Sequence, residues 1–200
     1  MRSARVLIVI LAWAGLTISA DAEQIGWRKP GELGEVPVPA SDVARNAARD
    51  TRLSRFEYND GRVLRRVIVT DTPARGRLAT DPVGALVTSV VGRTAAATCL
   101  NHTLSPVREF SVGGRPAAEV TLICRGIVSP PETIPNQIDV RRTVLIQGPT
   151  RVFMFQADEY ARDSESFDPA VSAARWDDAI ASLSWCADSD AECPPVAPTN

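Results

Sequence analysis

The sequence has little of the side-chain chemistry on which many hydrolases depend. It contains one histidine, His102, and one lysine, Lys29, in 200 residues. A serine hydrolase would need His102 as its base, and the chain has no G-x-S-x-G motif to carry the serine. Arginine supplies the rest of the positive charge, which fits the codon bias of a GC-rich genome. The formal net charge of -2 does not indicate a strongly basic protein that would bind nucleic acid or an anionic membrane.

Long apolar runs are also scarce, and the one that stands out lies at the N-terminus. A short basic region precedes "VLIVILAWAGLTI", and Ala20-Asp21-Ala22 fits the small-x-small rule for cleavage before Glu23. Residues 1–22 are therefore predicted to be a signal peptide. An uncleaved anchor is the alternative, although the run is short for a membrane span. We expect a periplasmic or secreted bacterial protein with no membrane span in its mature part.

Export changes the interpretation of the four cysteines. An even number of cysteines in an oxidising compartment predicts disulfides. Proximity in sequence favours Cys99 with Cys124 and Cys186 with Cys193, although other connectivities stay open. Zinc is the competing interpretation, but zinc sites favour close pairs such as C-x-x-C, which this chain lacks.

The C-terminal stretch "WCADSDAEC" suggests a metal-binding loop at first sight. Asp188, Asp190 and Glu192 alternate between its two cysteines. A calcium site needs about six to eight oxygens and commonly a glycine at the tight turn, so these three acids are weak candidates. A disulfide that closes the loop is the preferred interpretation, which makes residues 187–200 a disulfide-tethered tail. No metal and no other cofactor is predicted.

Turn and cap signals divide the first half of the mature chain into short elements. Residues 23–40 are rich in Gly and Pro and predict an extended N-terminal segment. A short helix is predicted over 41–49, and the following "NDG" predicts a hairpin turn between two strands. Asp81 as N-cap and Pro82 at the first helical position predict a helix that ends at Gly92.

The second half continues with hairpins and a closing helix, within one predicted domain over 41–186. The dipeptides at 113–114 and 148–149 predict two more hairpin turns. The proline-punctuated stretch "IVSPPETIPNQ" predicts a loop between those hairpins. Cap signals and an apolar stripe predict a helix over 168–184. Sequential hairpins predict an α+β fold, a mostly antiparallel sheet of about six strands covered by two or three helices.

Three stretches carry a resemblance to a known family. They are "VGGRPAAEVTL", "TRVFMFQAD" and "WDDAIASLSW", which match a hairpin, a strand and a closing helix. From about Phe56 to Trp185 the chain resembles the PsbP/DcrB-like α/β/α sandwiches. The resemblance implies a sandwich fold and an accessory or assembly role, and it implies no catalytic residues because the family shares none. The four cysteines depart from its pattern.

Other candidate residues have simpler interpretations than catalysis. His102 follows Cys99 by three residues, which would suit a metal site or a cysteine nucleophile, but a disulfide at Cys99 removes that role. The acidic pair 177–178 is interpreted as a solvated helix face. The arginine pairs 65–66 and 141–142 lie on predicted strands, so one member of each is expected to face solvent. Anion binding by these arginines is the alternative.

These patterns predict an exported, non-enzymatic accessory or binding protein of the bacterial cell envelope. Its predicted partner is an unidentified envelope protein or a small ligand, and not nucleic acid. Two alternatives stay open. One is a hydrolase that uses acidic residues near the predicted 127–137 loop on an envelope substrate, and the other is a weak divalent-cation binder at the C-terminal tail.

Overall fold

The chain folds into long antiparallel strands with few helices. The computed structural model describes residues 23–129, 132–161 and 167–186. The strands are β1 Gln24–Gly26, β2 Gly34–Glu35, β3 Arg52–Asn59, β4 Val63–Pro73, β5 Cys99–Leu104, β6 Arg108–Val112, β7 Arg115–Ser129, β8 Glu132–Gln147, β9 Arg151–Ala161 and β10 Ser184–Cys186. The helices are α1 Ala40–Ala47, α2 Arg77–Thr80, α3 Val83–Thr98, α4 Pro169–Ala174 and α5 Asp177–Ala181.

One large sheet organises the fold. It has eight strands in the order β2-β3-β4-β9-β8-β7-β5, with β6 also paired to β7, and its pairings in the described ranges are antiparallel. A separate two-stranded sheet joins β1 to β10. The architecture is thus α+β, but the prediction of about six strands is wrong. The additional strands are β2 and β5, neither of which is marked by a hairpin turn in the sequence.

The three predicted hairpin turns are all present. In the β3–β4 turn, Oδ1 of Asp60 accepts hydrogen bonds from the backbone N–H groups of Arg62 at 2.9 Å and Val63 at 2.8 Å. In the β6–β7 turn, Gly113 and Gly114 have φ angles of 55° and 76°, which favour glycine at both positions. The residues of each turn therefore determine which two strands pair within that hairpin.

The loop predicted over 127–137 is wrong for the described part of this stretch, because β7 continues to Ser129 and β8 begins at Glu132. The ladder between the two strands is interrupted between Arg125 and Ile127, and Gly126 between them has a φ angle of 73°. Residues 135–137 of β8 stand against this single residue of β7, so Pro135 belongs to the interrupted part of the ladder. Proline has no N–H to donate to a regular ladder, and it is tolerated at this position because the ladder is already interrupted.

Helix α3 differs from its prediction at both ends. Its N-cap is Pro82, whereas Asp81 ends α2 and accepts a hydrogen bond from Nε of Arg77 at 2.7 Å. The helix also continues past Gly92 to Thr98. A single glycine weakens a helix by roughly 1 kcal/mol, and the alanines that follow Gly92 favour its continuation.

The closing helix predicted over 168–184 is divided into α4 and α5. Asp168 caps α4 as predicted, since its Oδ1 accepts from the backbone N–H of Ala170 at 2.8 Å. The helix is interrupted at Trp176, whose backbone angles are -91° and 0° and whose ring is buried. After α5 the chain becomes extended and forms β10 instead of continuing as helix.

The two faces of the large sheet carry separate apolar cores. On one face α3 covers β7, and Val87, Val91 and Leu122 are buried there. On the other face α4, α5 and the N-terminal segment cover β8 and β9, with Phe155 and Trp176 buried. Because both faces are covered, polar residues of the central strands must find partners inside the protein.

The N-terminal segment packs onto the second core. Trp27 meets the rings of Phe56 and Phe155 edge to face, with centroids 5.4 Å and 5.2 Å apart. Leu33 is buried in the same cluster. Within residues 23–129, 132–161 and 167–186, no helix combines the length and the apolar character that crossing a membrane requires.

Candidate functional site

A group of polar side chains lies on the α3 face of the sheet, beside the apolar core. Arg66 of β4, Asp139 and Arg141 of β8, and Asp158 and Tyr160 of β9 form this group, called the polar network below. Register explains their proximity, because directly opposed residues project to the same face. Asp158 is opposite both Arg66 and Arg141, and Tyr160 is opposite Asp139.

Asp158 is the centre of the polar network and is fully buried. Its Oδ2 accepts from Nη2 of Arg66 at 2.6 Å, and its Oδ1 accepts from Nε of Arg141 at 2.9 Å. The hydroxyl of Tyr160 and the amide of Gln156 also donate to this carboxylate, at 3.2 Å and 3.0 Å. A buried carboxylate needs such partners, because desolvation would otherwise strongly disfavour its charge.

Asp139 is less completely satisfied than Asp158. Its Oδ2 accepts from Nη2 of Arg141 at 3.0 Å, while its Oδ1 is buried and has no hydrogen-bond partner in the described part of the chain. Burial, followed by repulsion from the Asp158 charge, raises the pKa of Asp139 to about 7 despite the attraction of Arg141. A fraction of this carboxyl is therefore protonated at neutral pH.

The same surroundings act on the other members of the network. Burial and then the negative charges of Asp158 and Asp139 raise the pKa of Tyr160, so that its phenol stays protonated. Burial is the largest single influence on the pKa of Arg66 and of Arg141 and would lower it, but the Asp158 charge together with the other negative and hydrogen-bonding neighbours outweighs burial, and the pKa of each is raised. The arginines and Tyr160 thus keep one protonation state at physiological pH.

A cleft opens from the polar network at the end of the β3–β4 hairpin. It has a volume of about 360 Å³ and is called the hairpin cleft below. Its lining residues are Asn59, Gly61, Arg62, Val63, Leu64, Arg66, Gln137 and Tyr160. Arg66 and Tyr160 belong to both features, so the network fixes two of the side chains that face the cleft.

A second set of ion pairs lies on the opposite face and attaches the short helices to the sheet. Glu119 of β7 accepts from Nε of Arg142 at 2.6 Å and also pairs with Arg108. Nη1 of Arg142 donates to the backbone oxygen of Ala173 at 2.7 Å and pairs with Asp177. This set joins α4 and α5 to β8, which is a structural role.

The predicted pairing of Cys99 with Cys124 is present, and it links the end of α3 to β7 with 5.3 Å between Cα atoms. Cys186 also belongs to a disulfide, and its predicted partner Cys193 lies outside the described residues. His102 is exposed on β5, opposite Cys124. Because Cys99 and Cys124 are bonded to each other, neither supplies a thiolate beside this histidine.

The acids proposed as weak cation ligands, Asp188, Asp190 and Glu192, lie outside the described residues. In the part of the chain that the structure does describe, no three His, Cys, Asp or Glu side chains are grouped as a metal ion would require.

The expectation that one arginine of each pair faces solvent is wrong. The side chains of Arg65 and Arg66 are 17% and 19% exposed, and those of Arg141 and Arg142 are 11% and 8% exposed. Both faces of the sheet are covered, so consecutive arginines enter opposite interiors and each meets a carboxylate. Glu159 pairs with Arg65 across the sheet at 3.5 Å.

Sequence reasoning missed Asp139, Tyr160 and Arg62 as members of a site. The available signal was the alternation of polar residues on strands, with Asp139 and Arg141 on β8 and the series Gln156, Asp158, Tyr160 on β9. Such period-two placement puts polar groups on one face, but it does not identify the strand that supplies their partners.

Comparisons with solved structures find distant relatives in fold. No protein-family model matches the chain, and no curated protein matches it. LpqN of Mycobacterium tuberculosis, involved in cell envelope biogenesis, is 13% identical with a TM-score of 0.47, over 84% of this chain and 87% of LpqN. PA94, a protein of unknown function from Pseudomonas aeruginosa, is 12% identical with a TM-score of 0.43, over 76% of this chain and 94% of PA94. At these values the likeness concerns the fold at low identity, and the PsbP/DcrB-like resemblance stays a prediction.

Proposed function

We propose that this chain is an exported binding protein of the bacterial cell envelope, and that its ligand occupies the hairpin cleft. The observation that carries the proposal is the junction of the cleft with the polar network. Arg66 and Tyr160 are held by Asp158 and present their remaining surface to the cleft. Side chains fixed before a ligand arrives lose less entropy on binding, which is typical of binding sites.

Export is supported by the predicted signal peptide and by the Cys99–Cys124 disulfide, since disulfides persist mainly in oxidising compartments. The test is osmotic-shock fractionation followed by intact mass measurement. We expect the protein in the released fraction, with the mass of a chain whose first residue is Glu23 and with no free thiol. A chain that keeps residues 1–22 and carries four reduced cysteines would contradict the proposal.

The burial of the acids favours binding over catalysis. Asp158 is fully buried and Asp139 is 2% exposed, and both are bound by Arg141. A carboxylate that acts as acid, base or nucleophile must reach a substrate atom. Either acid would reach a substrate atom only after its arginine partner had moved away from it, so catalysis by Asp139 or Asp158 requires a rearrangement of the network.

The acid-residue hydrolase remains a second candidate because of one observation, the pKa of about 7 at Asp139. A general acid is most effective when its pKa lies near the working pH. The test is turnover of envelope glycans and phosphoesters by the wild type and by Asp139→Asn. Turnover that is lost in this variant would favour the hydrolase, whereas a lack of turnover in the wild type favours the binding protein.

Weak cation binding at the tail is tested separately, because Asp188, Asp190 and Glu192 lie outside the described residues. Thermal melting is measured with and without millimolar calcium. A rise in melting temperature that disappears in Asp190→Asn would support this alternative, and an unchanged melting temperature would exclude it.

Occupation of the hairpin cleft is tested by filling it. Leu64 lines the cleft, so Leu64→Trp should obstruct it. Leu100 is 48% exposed on β5, near the other edge of the sheet, and Leu100→Trp is the matched control. Each protein is released from the periplasm of the cells that produce it and is examined by native mass spectrometry. We expect a bound molecule on the wild type and the control that Leu64→Trp lacks; equal loading of all three proteins would contradict the cleft as the site.

A further inference from the structure

The charge of the hairpin cleft differs from that of the whole chain. The formal net charge of the protein is -2. The described lining of the cleft nevertheless contains two guanidinium groups, those of Arg62 and Arg66, and no carboxylate. Its other polar groups are the amides of Asn59 and Gln137, which can donate hydrogen bonds, and the phenol of Tyr160, whose hydrogen is already donated to Asp158. A ligand with an acceptor-rich, negatively charged group complements such a lining.

Arg66 is partly committed to the protein and partly available. Its Nε and Nη2 donate to Asp158 at 3.1 Å and 2.6 Å, and Nη2 also donates to Tyr160. Within the described residues, Nη1 of Arg66 donates to no acceptor, and the side chain remains 19% exposed. The buried pair therefore fixes the guanidinium plane while one end stays free for a ligand.

Arg62 is the more available of the two cations. It is exposed on the turn before β4, and its side chain forms no ion pair with any residue in the described ranges. The nearest acid in sequence is Asp60, and its carboxylate is bound to the backbone of its own turn. Hydrogen bonds from the backbone N–H groups of Val63 and Arg62 lower the pKa of Asp60, so its carboxylate stays charged and turned to the backbone.

We propose that the hairpin cleft binds the phosphate or carboxylate group of a small molecule, with Arg62 and Arg66 as its charged donors. Val63 and Leu64 line the same cleft and would contact an apolar part of that molecule. The inference rests on the proposed binding function and makes it more specific, because it assigns the chemical class of the ligand.

Nuclear magnetic resonance titration with inorganic phosphate tests the inference at constant ionic strength, with chloride as the balancing anion. The signals followed are the backbone amides of Gly61 and Arg62 and the Nε–H of Arg66. We expect saturable shifts at these positions, repeated with glycerol 1-phosphate and absent with glycerol. In Arg62→Ala the affinity should fall by about tenfold, the loss expected for one charge-assisted hydrogen bond.

Two variants control for general effects of charge. Arg93 is exposed on α3 and does not line the cleft, so Arg93→Ala should bind phosphate as the wild type does. Arg62→Lys keeps the charge and should retain an intermediate affinity. Equal phosphate affinity in Arg62→Ala and Arg93→Ala, or linear shifts distributed over many arginines, would overturn the inference.

The source of the anionic group is distinguished by a second probe. Sedimentation with phosphatidylglycerol vesicles that is lost in Arg62→Ala assigns the group to a lipid headgroup, whereas binding of soluble glycerol 1-phosphate without sedimentation assigns it to a free small molecule. A neutral molecule that co-purifies in the cleft, together with no response to phosphate, would overturn the anionic ligand and leave the proposed binding function intact.

Discussion

Gly148 lies beneath the indole of Trp185, and this close approach leaves no room for a side chain. A Cβ atom at this position would lie 2.7 Å from Cζ2 of Trp185 and 2.9 Å from the backbone oxygen of Arg151, and it would also clash with Cη2 of the same ring. Real Cβ atoms do not approach this closely, so the ring and the β8–β9 turn would have to move. Such overpacking commonly costs 1 to 3 kcal/mol.

We therefore expect Gly148→Ala to lower the free energy of unfolding by about 2 kcal/mol, measured by urea denaturation. Gly92 supplies the matched control, since a Cβ there meets nothing within 4 Å and the residue lies inside α3. Gly92→Ala should raise stability by roughly 0.5 to 1 kcal/mol, because alanine has the higher helix propensity. Equal effects of the two substitutions would contradict the assigned packing of Trp185.

Asp139 should make the protein less stable as pH rises. Its pKa is raised from 3.8 to about 7 in the folded protein, so between these values the folded state holds a proton that the unfolded state has lost. The stabilisation of the folded state by this additional proton is complete below about pH 4, and it is lost as the pH rises through 7. Its size is on the order of 2 to 4 kcal/mol.

The test compares wild type with Asp139→Asn by urea denaturation from pH 4 to pH 8. We expect the stability of the wild type relative to the variant to fall across this range, since asparagine cannot titrate. Asp42 on α1 is 39% exposed at its side chain, and Asp42→Asn controls for the loss of one carboxylate. Parallel pH profiles for wild type and Asp139→Asn would show that this carboxyl does not keep its proton.

At the scale of elements, the Cys99–Cys124 disulfide holds α3 against the sheet. It closes a sequence separation of 25 residues between the end of α3 and β7. A loop of this length restricts the unfolded chain enough to contribute about 3 kcal/mol. The valines of α3 have modest helix propensity, so the helix depends on packing and on this covalent link.

Replacement of both cysteines, Cys99→Ala with Cys124→Ala, should therefore cost about 3 kcal/mol. Hydrogen exchange should accelerate first in α3, because its last turn is no longer tied to β7. The wild type under reducing conditions should lose at least as much stability, since reduction also opens any other disulfide. Unchanged exchange in α3 would show that apolar packing alone holds the helix.

At the scale of the whole molecule, two charge networks lie on opposite faces of one covered sheet. Arg142 and Arg108 both bind Glu119, but their side chains are 8% and 60% exposed. Removal of a buried partner leaves an uncompensated charge inside the protein, whereas an exposed ion pair contributes little. Glu119 thus has one buried and one exposed ion pair, and substitution of each arginine in turn measures the contribution of each pair to stability.

We expect Arg142→Met to lower the free energy of unfolding by about 3 kcal/mol and Arg108→Met by less than about 1 kcal/mol. Arg142 additionally binds the backbone oxygen of Ala173, so its loss should also release α4 from the sheet. Chemical denaturation measures both effects. Equal losses from the two substitutions would mean that burial does not determine the strength of these pairs.

The sequence by itself determined the local features of this protein. The turns at "NDG", 113–114 and 148–149 predicted three hairpins because glycine and short polar side chains favour those backbone angles. The cap at Asp168 could likewise be inferred from adjacent residues, and proximity in sequence favoured the pairing of Cys99 with Cys124 among the possible connectivities. Helix ends were less accurate, since Gly92 weakens α3 without stopping it and Trp176 divides the closing helix.

Only the tertiary structure decided which hairpins meet, and hence where the cleft lies. β4 pairs with β9, which brings Arg66 to Asp158 across 92 residues of sequence. Alternation along a strand shows that polar residues share a face, but it does not name the neighbouring strand, because any strand of similar pattern could pair there. That choice depends on the packing of both apolar cores together, and it places Arg62, Arg66 and Tyr160 around one cleft.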